Sequence, residues 1–378
     1  MMSGPLAGVR VVELARILAG PWAGQVLADL GAEVVKVESP EGDDTRRWGP
    51  PFIDNPDGSR DAAYFHAANR GKRSVVADFS TEEGRATVRA LIADADVVIE
   101  NFKVGGLAKY GLDYATLSAD HLGLVYCSIT GFGQDGPYAA RAGYDFIVQG
   151  MGGIMSLTGE PDGAPQKIGV AYADILTGLY AVIGIQAALA ERARTGRGAH
   201  VDMALFDVMV GTLANQAMNY LVSGTAPMRL GNAHPNIAPY AAYPTADGWI
   251  ILAVGNDRQF ERACEVLRLH CDETFATNAL RVAQRSILDP LVAGATRAWQ
   301  RDTLLAALEA AGVPAGPIND VEQAFADPQI VHRGMRIEAR RPDDTVVPGV
   351  ALPIRFIGHD REVSGAAPVL PTLRVGPN

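Results

Sequence analysis

Alternating apolar segments of strand and helix character in the N-terminal half constrain the fold of this 378-residue chain most strongly. The first two predicted strands, 9–14 and 33–38, flank a segment in which Pro21 suits a helix start and Gly31 a helix end. Further predicted strands occupy 73–79, 96–100, 122–130 and 200–205. Strands that alternate with helices in this way predict an α/β fold, with a mostly parallel sheet covered by helices.

Chain length and a change of composition at 223–247 predict two domains. Ser80 and Glu83 match a capping box, which predicts a helix through Ala93. A chain of this length seldom forms one core, so we expect a large domain over 1–222, completed by the tail 327–378. Residues 223–247, rich in Gly, Pro and Asn, are predicted to be a linker. A smaller domain is expected over 248–326, with a strand at 249–254, helices at 259–270, 284–293 and 303–311, and an end at 312–318.

Composition excludes several classes of function. The net charge of −10 argues against nucleic acid as the main partner. The three cysteines include no CxxC pair, so neither a disulfide framework nor a zinc site is predicted, and a reducing compartment is expected. The seven histidines show no HxH or HExxH spacing, which predicts no metal site. The first residues lack signal-peptide character, so a cytoplasmic location is expected.

One acidic residue, Asp174, lies where a loop becomes the long apolar run Ile175–Leu189. The run predicts a helix that ends near Thr195–Gly198 and, being apolar nearly all round, should be buried. Fewer than about 18 apolar residues favour a core helix over a membrane span. Asp174 has two alternative roles. It can cap the helix, which is the commoner role, or it can act as a nucleophile kept ionised by the positive helix end.

Other motifs narrow the choice of site. Gly131–Gly136 spells GxGxxG, but no helix is predicted to begin at this loop, so a dinucleotide site is not indicated. No GxSxG motif occurs, and Cys127 is expected to be a buried, inert thiol, so Asp174 is the best candidate nucleophile. Basic residues near predicted strand ends suit a phosphate-bearing ligand, namely Arg46, Arg47, Arg70, Lys72, Arg73, Lys103 and Lys109.

An ordered set of motifs resembles the family III coenzyme A (CoA) transferases, or CaiB/BaiF-like proteins, a family that also contains acyl-CoA racemases. The resemblance runs nearly end to end. It covers Leu27–Glu38, Gly42–Arg46, Glu100–Phe102, Gly131–Pro137, Gly143–Asp145, Thr158–Gly163, Ala173–Asp174, Thr195–Gly198 and Gly312–Pro317. Residues 231–240 and 247–256 resemble the branch that uses succinyl-CoA and small dicarboxylic acids.

This resemblance implies a Rossmann-like large domain with a mostly parallel sheet, a smaller α+β domain, and two chains interlocked as a homodimer. It also implies that Asp174 is the nucleophile. Ser39 stands where some members carry a basic residue, so Arg46 is expected to compensate. The CoA contacts implied by the resemblance fall on Leu18, Ala19, Ala77, Asp78, Phe79, Ser80, Asn101, Phe102, Lys109, Tyr144 and Asp145.

The implied reaction moves CoA from an acyl-CoA to a small carboxylic acid through an aspartyl anhydride and an enzyme–CoA thioester. It needs no metal and no permanently bound cofactor, and neither nucleic acid nor a membrane is an expected partner. One alternative is a 2-methylacyl-CoA racemase or epimerase, which needs two acid–base groups. Tyr144 stands where such racemases carry a histidine, and tyrosine is a poor base near neutral pH. The other alternative is a non-catalytic CoA-binding protein.

Overall fold

The computed structural model describes residues 4–341, 343–358 and 364–371. These residues form two compact units. Unit 1 takes the described residues of 1–154, 167–222 and 328–378, and unit 2 takes 155–166 and 223–327. Unit 1 is therefore built from three separate stretches of chain.

The elements follow in chain order. The strands are β1 Arg10–Glu13, β2 Glu33–Glu38, β3 Phe52–Asp54, β4 Arg60–Ala62, β5 Arg73–Val76, β6 Val97–Glu100, β7 Val125–Thr130, β8 His200–Ala204, β9 Tyr240–Pro244, β10 Trp249–Ala253, β11 Ala315–Pro317, β12 Arg336–Arg340 and β13 Val346–Val350. The α-helices are α1 Ala19–Asp29, α2 Ala63–His66, α3 Glu82–Ala93, α4 Tyr114–Asp120, α5 Asp145–Met151, α6 Tyr172–Thr195, α7 Leu205–Gly211, α8 Ala214–Ser223, α9 Asp257–Leu267, α10 Asn278–Ala283, α11 Arg285–Thr296, α12 Arg301–Ala310, α13 Val321–Ala326 and α14 Pro328–His332.

Unit 1 is organised around a six-stranded parallel sheet in the order β5-β2-β1-β6-β7-β8. Strand β1 pairs with β2 on one side and with β6 on the other, so Val11 lies opposite both Val34 and Val97. The chain leaves β1 in one direction and returns in the other, which creates a switch point at the carboxyl ends of β1 and β6. The predicted α/β fold with a mostly parallel sheet is confirmed.

Side chains that alternate along the strands fill a core on each face of this sheet. Val11 and Ile99 pack in one core with residues of α1 and α6. Val12 and Val98, their neighbours in sequence, pack in the other core, which includes Val88 of α3. Two apolar faces explain why the strands are near-continuous apolar runs in the sequence.

Unit 2 has a three-stranded antiparallel sheet in the order β11-β10-β9, with a separate core that includes residues of α9, α11 and α12. The segment predicted as a linker, 223–247, lies in this unit and contributes β9, which pairs with β10 from Trp249↔Pro244 to Ala253↔Tyr240. The stretch 312–318, predicted to end the smaller domain, contributes β11. Neither strand was predicted, because alanine, glycine and proline make up most of both and have low strand propensity.

Several local predictions are wrong. The N-cap of α3 is Thr81, whose hydroxyl accepts the Gly84 N–H at 3.0 Å, and not Ser80. We expected one helix from the end of the 200–205 strand to about Val222, but the structure has two, α7 and α8, and Ala214 at the start of α8 has a φ of +48°. Cys264 and Cys271, expected to be unpaired thiols, form a disulfide. Cys127 is a buried free cysteine, as expected.

Helix α6 is longer than predicted and is buried on one side. Its buried residues, which include Ala181 and Ile185, pack in the core of unit 1, but Leu179, Tyr180 and Ile183 are exposed. The expectation of burial all round is therefore wrong for a single chain. Among the described residues, α6 is the one helix long and apolar enough to cross a membrane by length and composition alone. Its packing against α1 is that of a core helix.

Candidate active site

A cleft with a volume of about 470 Å³ opens at the switch point between β1 and β6. The loops that follow these two strands diverge there, and such a crevice is where open α/β sheets bind ligands. The cleft brings together many of the predicted site residues: Leu18, Ala19, Asn101, Phe102, Lys109, Tyr144, Asp145 and Asp174. Residues from five separate segments of the sequence therefore meet at one sheet edge.

Asp174 is the third residue of α6 and does not cap it. The helix N-cap is Ala171, which has no side-chain cap, and within the described chain no group donates a hydrogen bond to the Asp174 carboxylate. The cap comes from Asp145, whose Oδ1 accepts the N–H groups of Ala173 at 2.8 Å and of Asp174 at 3.3 Å. The capping alternative for Asp174 is therefore wrong, and the role of nucleophile stays a prediction.

The surroundings of Asp174 disfavour its charge. Burial, and then the neighbouring Asp145 carboxylate, raise the pKa of Asp174 to about 7. We expected the helix N-terminus to keep this group ionised, but burial and Asp145 oppose the charge, so the carboxyl group loses its proton only near pH 7. A carboxylate that titrates near neutral pH with little hydration is more reactive than one in water, and such shifts are common at functional sites.

Asp145 is itself held by a buried amide. Gln149, one turn later on α5, donates from Nε2 to Asp145 Oδ2 at 2.7 Å and accepts the N–H of Ile168 on Oε1 at 2.9 Å. Gln149 is fully buried. The short helix α5 thus fixes both Asp145 and the segment that leads into α6, so Asp145 orients the start of α6 as well as lining the cleft.

Asn101 lines the cleft with its side chain already engaged. Its Oδ1 accepts the N–H of Arg16 at 2.9 Å, and its Nδ2 donates to the C=O of Arg16 at 2.7 Å. This reciprocal pair ties the loop after β6 to the loop after β1. Asn101 therefore shapes the wall of the cleft, and its amide keeps a second N–H donor and a second oxygen lone pair for a ligand.

Four basic side chains give the cleft a positive character in an acidic protein. Arg16, Lys103, Lys109 and Arg141 all line it. Of these, only Arg16 forms an ion pair among the described residues, to Asp44 at 3.3 Å. Lys109 Nζ lies 4.7 Å from the Tyr110 ring centroid. Cations without internal carboxylate partners suit an anionic ligand such as a phosphate group.

The predicted contacts at Ala77–Ser80 are not among the residues that line this cleft. Phe79 packs on the cleft residues Phe102 and Tyr110, with ring centroids 5.9 and 6.0 Å apart. Ala77 is buried in the core, and the Asp78 carboxylate accepts the N–H of Ser80 at 2.8 Å. Phe79 therefore supports the cleft wall, whereas Asp78 and Ser80 are exposed, and their contact with CoA stays a prediction.

Arg46 is a correction to the predicted site. Its guanidinium donates to both carboxylate oxygens of Glu38, at 2.8 and 2.7 Å, and pairs with Asp61 at 3.0 Å. It also donates to the C=O of Pro368 at 3.2 Å. The side chain is 5% exposed. A cation whose donors are used inside the protein has none left for a phosphate, so Arg46 has a structural role.

The sequence analysis missed some residues near Asp174. Arg141 follows the glycine-rich loop, and its charge was the signal that could have identified it as a cleft residue. Tyr64 carried no such signal. Burial, and then the carboxylates Asp174, Asp145 and Asp43, raise the pKa of Tyr64, which places its phenol within electrostatic reach of Asp174. Within the described ranges, no group of three or more His, Cys, Asp or Glu residues is placed to hold a metal ion.

Comparison with known proteins gives consistent matches. A sequence model of CoA-transferase family III matches residues 6–372. The succinate–glutarate CoA-transferase of Agrobacterium fabrum is 61% identical over 355 residues, which cover 93% of this chain and 89% of that protein. The succinyl-CoA:mesaconate CoA-transferase of Haloarcula hispanica is 37% identical and covers 97% of this chain and 94% of its own. A crystal structure of a CaiB/BaiF family protein from Brucella suis aligns with a TM-score of 0.87 at 64% identity, over 97% of this chain and 96% of that one.

Proposed function

This chain belongs to CoA-transferase family III, and we propose that it moves CoA from succinyl-CoA to a short dicarboxylic acid such as glutarate, with Asp174 as the nucleophile. The family resemblance inferred from the sequence is confirmed, and the alternative of a non-catalytic protein is dropped because close relatives are CoA-transferases. The observation that carries the proposal is the partly buried Asp174 carboxylate, which does not cap α6 and lies in a cleft with basic walls.

The choice of substrates rests on the relatives. Those compared above, at 61% and 37% identity, are a succinate–glutarate and a succinyl-CoA:mesaconate CoA-transferase. Their substrates pair a thioester with a short dicarboxylic acid. The basic cleft residues suit both parts of such a reaction, because the phosphates of CoA and the distal carboxylate of a dicarboxylic acid are anions.

In the first half-reaction, the ionised Asp174 carboxylate attacks the thioester carbonyl of succinyl-CoA. The C–S bond breaks, which releases CoA as a thiolate and leaves a mixed anhydride between succinate and Asp174. The thiolate then attacks the aspartyl carbonyl of the anhydride, which releases succinate and leaves CoA on Asp174 as a thioester. The acceptor carboxylate reverses these steps, so a new acyl-CoA forms and Asp174 is free again. No net proton or electron is consumed.

The protein's contribution is to position groups and to exclude water. A carboxylate with little hydration loses little solvation when it attacks, so burial of Asp174 favours the step. Water is also the competing nucleophile at the anhydride, and a cleft that excludes it protects the intermediate. The pair Asp145 and Gln149 keeps the first turn of α6 fixed while the side chain of Asp174 forms and breaks covalent bonds.

We also propose that two chains form a homodimer, and a cytoplasmic location stays a prediction. Unit 1 leaves large apolar side chains exposed on two helices, including Ile183 on α6 and Leu221 and Val222 on α8. Ile183 is 61% exposed, Leu221 71% and Val222 81%. Apolar surface of this kind is typical of surfaces that contact another protein, and a second copy is the partner that symmetry favours.

The nucleophile is tested with Asp174→Asn and, as a matched control, Asp207→Asn, which changes an exposed carboxylate on α7. Wild type and control should transfer CoA from succinyl-CoA to glutarate, and Asp174→Asn should not, because an amide cannot form the anhydride. Hydroxylamine added during turnover should label residue 174, and peptide mass spectrometry should locate the label. Transfer by Asp174→Asn at the wild-type rate, with deamidation excluded by mass, refutes the proposal.

A further inference from the structure

Ile17 lies in the wall of the cleft with a backbone conformation that its side chain disfavours. Its φ is +72°, in the left-handed region. A β-branched residue is a genuine outlier there because its Cβ substituents crowd the backbone. Such conformations persist only where the surrounding structure holds them, and they concentrate at ligand sites. The contacts around Ile17 should therefore reveal what holds it.

The N–H of Ile17 points at the carboxylate of Asp43, with distances of 3.3 and 3.4 Å to the two oxygens. Asp43 is 1% exposed and follows β2. Its carboxylate also accepts the N–H and the hydroxyl of Thr45, at 3.0 and 2.8 Å, and pairs with the Lys36 ammonium at 2.9 Å. The anion is thus fixed by several donors, and Ile17 is one of them.

Lys36 links the Asp43 carboxylate to the backbone of Ala15, two residues before Ile17. Its ammonium donates to the C=O of Ala15 at 2.8 Å and to Glu13 at 3.1 Å, and the side chain is wholly buried. Burial raises the pKa of Asp43, but Lys36 and the hydrogen bonds from Thr45 more than offset it, so that the pKa lies below its ordinary value. One permanent ion pair therefore binds the backbone at both Ala15 and Ile17.

We propose that Asp43 is a positioning residue for the bound CoA: together with Lys36 it holds Ile17 in the left-handed conformation and so shapes the turn Arg16–Ala19 that lines the cleft. Asn101 fixes Arg16 between these two anchors. Without the anion, Ile17 relaxes to a negative φ, and the peptide planes on both sides rotate. The inference rests on the proposed function, because it takes this cleft as the CoA site.

The test compares the dissociation constant for free CoA, measured by calorimetry, with kcat at saturating acyl-CoA. Asp43→Asn should raise Kd roughly tenfold, because CoA binding must then restore the left-handed conformation of Ile17. The free energy of one such strained residue is of the order that changes a binding constant about tenfold. It should change kcat less than about threefold, because the nucleophile and its supports are untouched. Asp61→Asn is the matched control: it removes a buried, paired carboxylate that does not contact residues 15–19, and its Kd should equal that of wild type.

A rescue separates the proposal from a general loss of stability. Glycine adopts φ +72° without help, so Ile17→Gly placed in the Asp43→Asn background should bring Kd back to within about threefold of wild type. Ile17→Gly alone, which also removes a side chain from the cleft wall, is the reference for that double variant, because its Kd shows what the lost side chain changes by itself. If Asp43→Asn does not fold, Thr45→Val, which removes one donor to the same carboxylate, takes its place with the same expected direction and the same rescue.

The outcomes are distinct. A folded Asp43→Asn with unchanged Kd overturns the proposal, and so does a raised Kd that Ile17→Gly does not restore. For Thr45→Val the same two results count against it. A wild-type protein that neither binds CoA nor transfers it refutes the proposed function itself, which these variants do not test.

Discussion

Asp174 should cost the protein stability at neutral pH, and Asp174→Asn should remove that cost. The pKa of this carboxyl group is raised from 3.8 to about 7, by burial and then by Asp145. Between these values the folded state holds a proton on Asp174 that the unfolded chain has released. The free energy of unfolding therefore falls as the pH rises from about 4 to about 7 and is level above that. The asparagine variant has no such dependence.

The size of the effect follows from the same values. Each factor of ten in a proton equilibrium corresponds to about 1.4 kcal/mol. The raised pKa therefore destabilises the wild type on the order of 4 kcal/mol at pH 8, and by about 1.5 kcal/mol at pH 5. Asparagine and the protonated carboxyl group are both buried neutral polar groups of similar size, so their desolvation costs nearly cancel in the comparison. Asp174→Asn should thus be on the order of 4 kcal/mol more stable than wild type at pH 8 and about 1.5 kcal/mol more stable at pH 5.

Urea denaturation of both proteins from pH 5 to pH 8, followed by circular dichroism, measures this difference. Asp207→Asn, on an exposed site, should stay within about 0.5 kcal/mol of wild type throughout. A difference between wild type and Asp174→Asn that does not change with pH refutes the reasoning, because a desolvated carboxylate must show the dependence. A variant less stable than wild type at pH 8 would instead indicate that Asp174 accepts hydrogen bonds in the folded state.

Three further results are expected. The value of kcat/KM for acyl-CoA should rise with pH and level off above about 7. In the same pH–rate profile, Asp145→Asn should move the midpoint to lower pH, because it removes a like charge yet keeps an oxygen that accepts the helix N–H groups. An unmoved midpoint would assign the raised pKa to burial alone. Lys109→Glu should raise KM for acyl-CoA far more than it lowers kcat, and an unchanged KM would remove Lys109 from the site. Tagged and untagged chains should not exchange partners within minutes at native pH, since threaded chains separate only by unfolding; rapid exchange would rule out interlocking.

The parallel sheet could be predicted because buried strands leave apolar runs that are hard to mistake. Strand β2 lies at Glu33–Glu38, as the run indicated. The position of Asp174 at the start of a long apolar helix was also visible, since a carboxylate is conspicuous at the edge of such a run. What the pattern could not give was the state of that carboxylate. Asp145, which caps α6 and raises the pKa of Asp174, is 29 residues away in sequence, and local spacing carries no information on such pairs.

Other features depended on contacts that periodicity cannot encode. Arg46 looks like a free cation in the sequence, but its partners include Pro368, 322 residues later. The left-handed conformation of Ile17 has no local signal either, because its residue type argues against it. Burial of α6 was overestimated because a helix apolar all round gives the same sequence pattern whether one side or both sides are covered.

Because unit 1 is assembled from three stretches of chain, its fold can be completed only when synthesis is nearly finished. Arg70, near the start of the chain, donates to the C=O of Val350 at 2.8 Å, and Arg341 donates to Asn55 at 2.6 Å. As the chain leaves the ribosome, these polar groups of the N-terminal third have no partners until nearly the whole protein has emerged. Unit 2 is contiguous apart from 155–166, so all of its residues are available earlier. The last segment to be translated therefore completes the unit that was begun first.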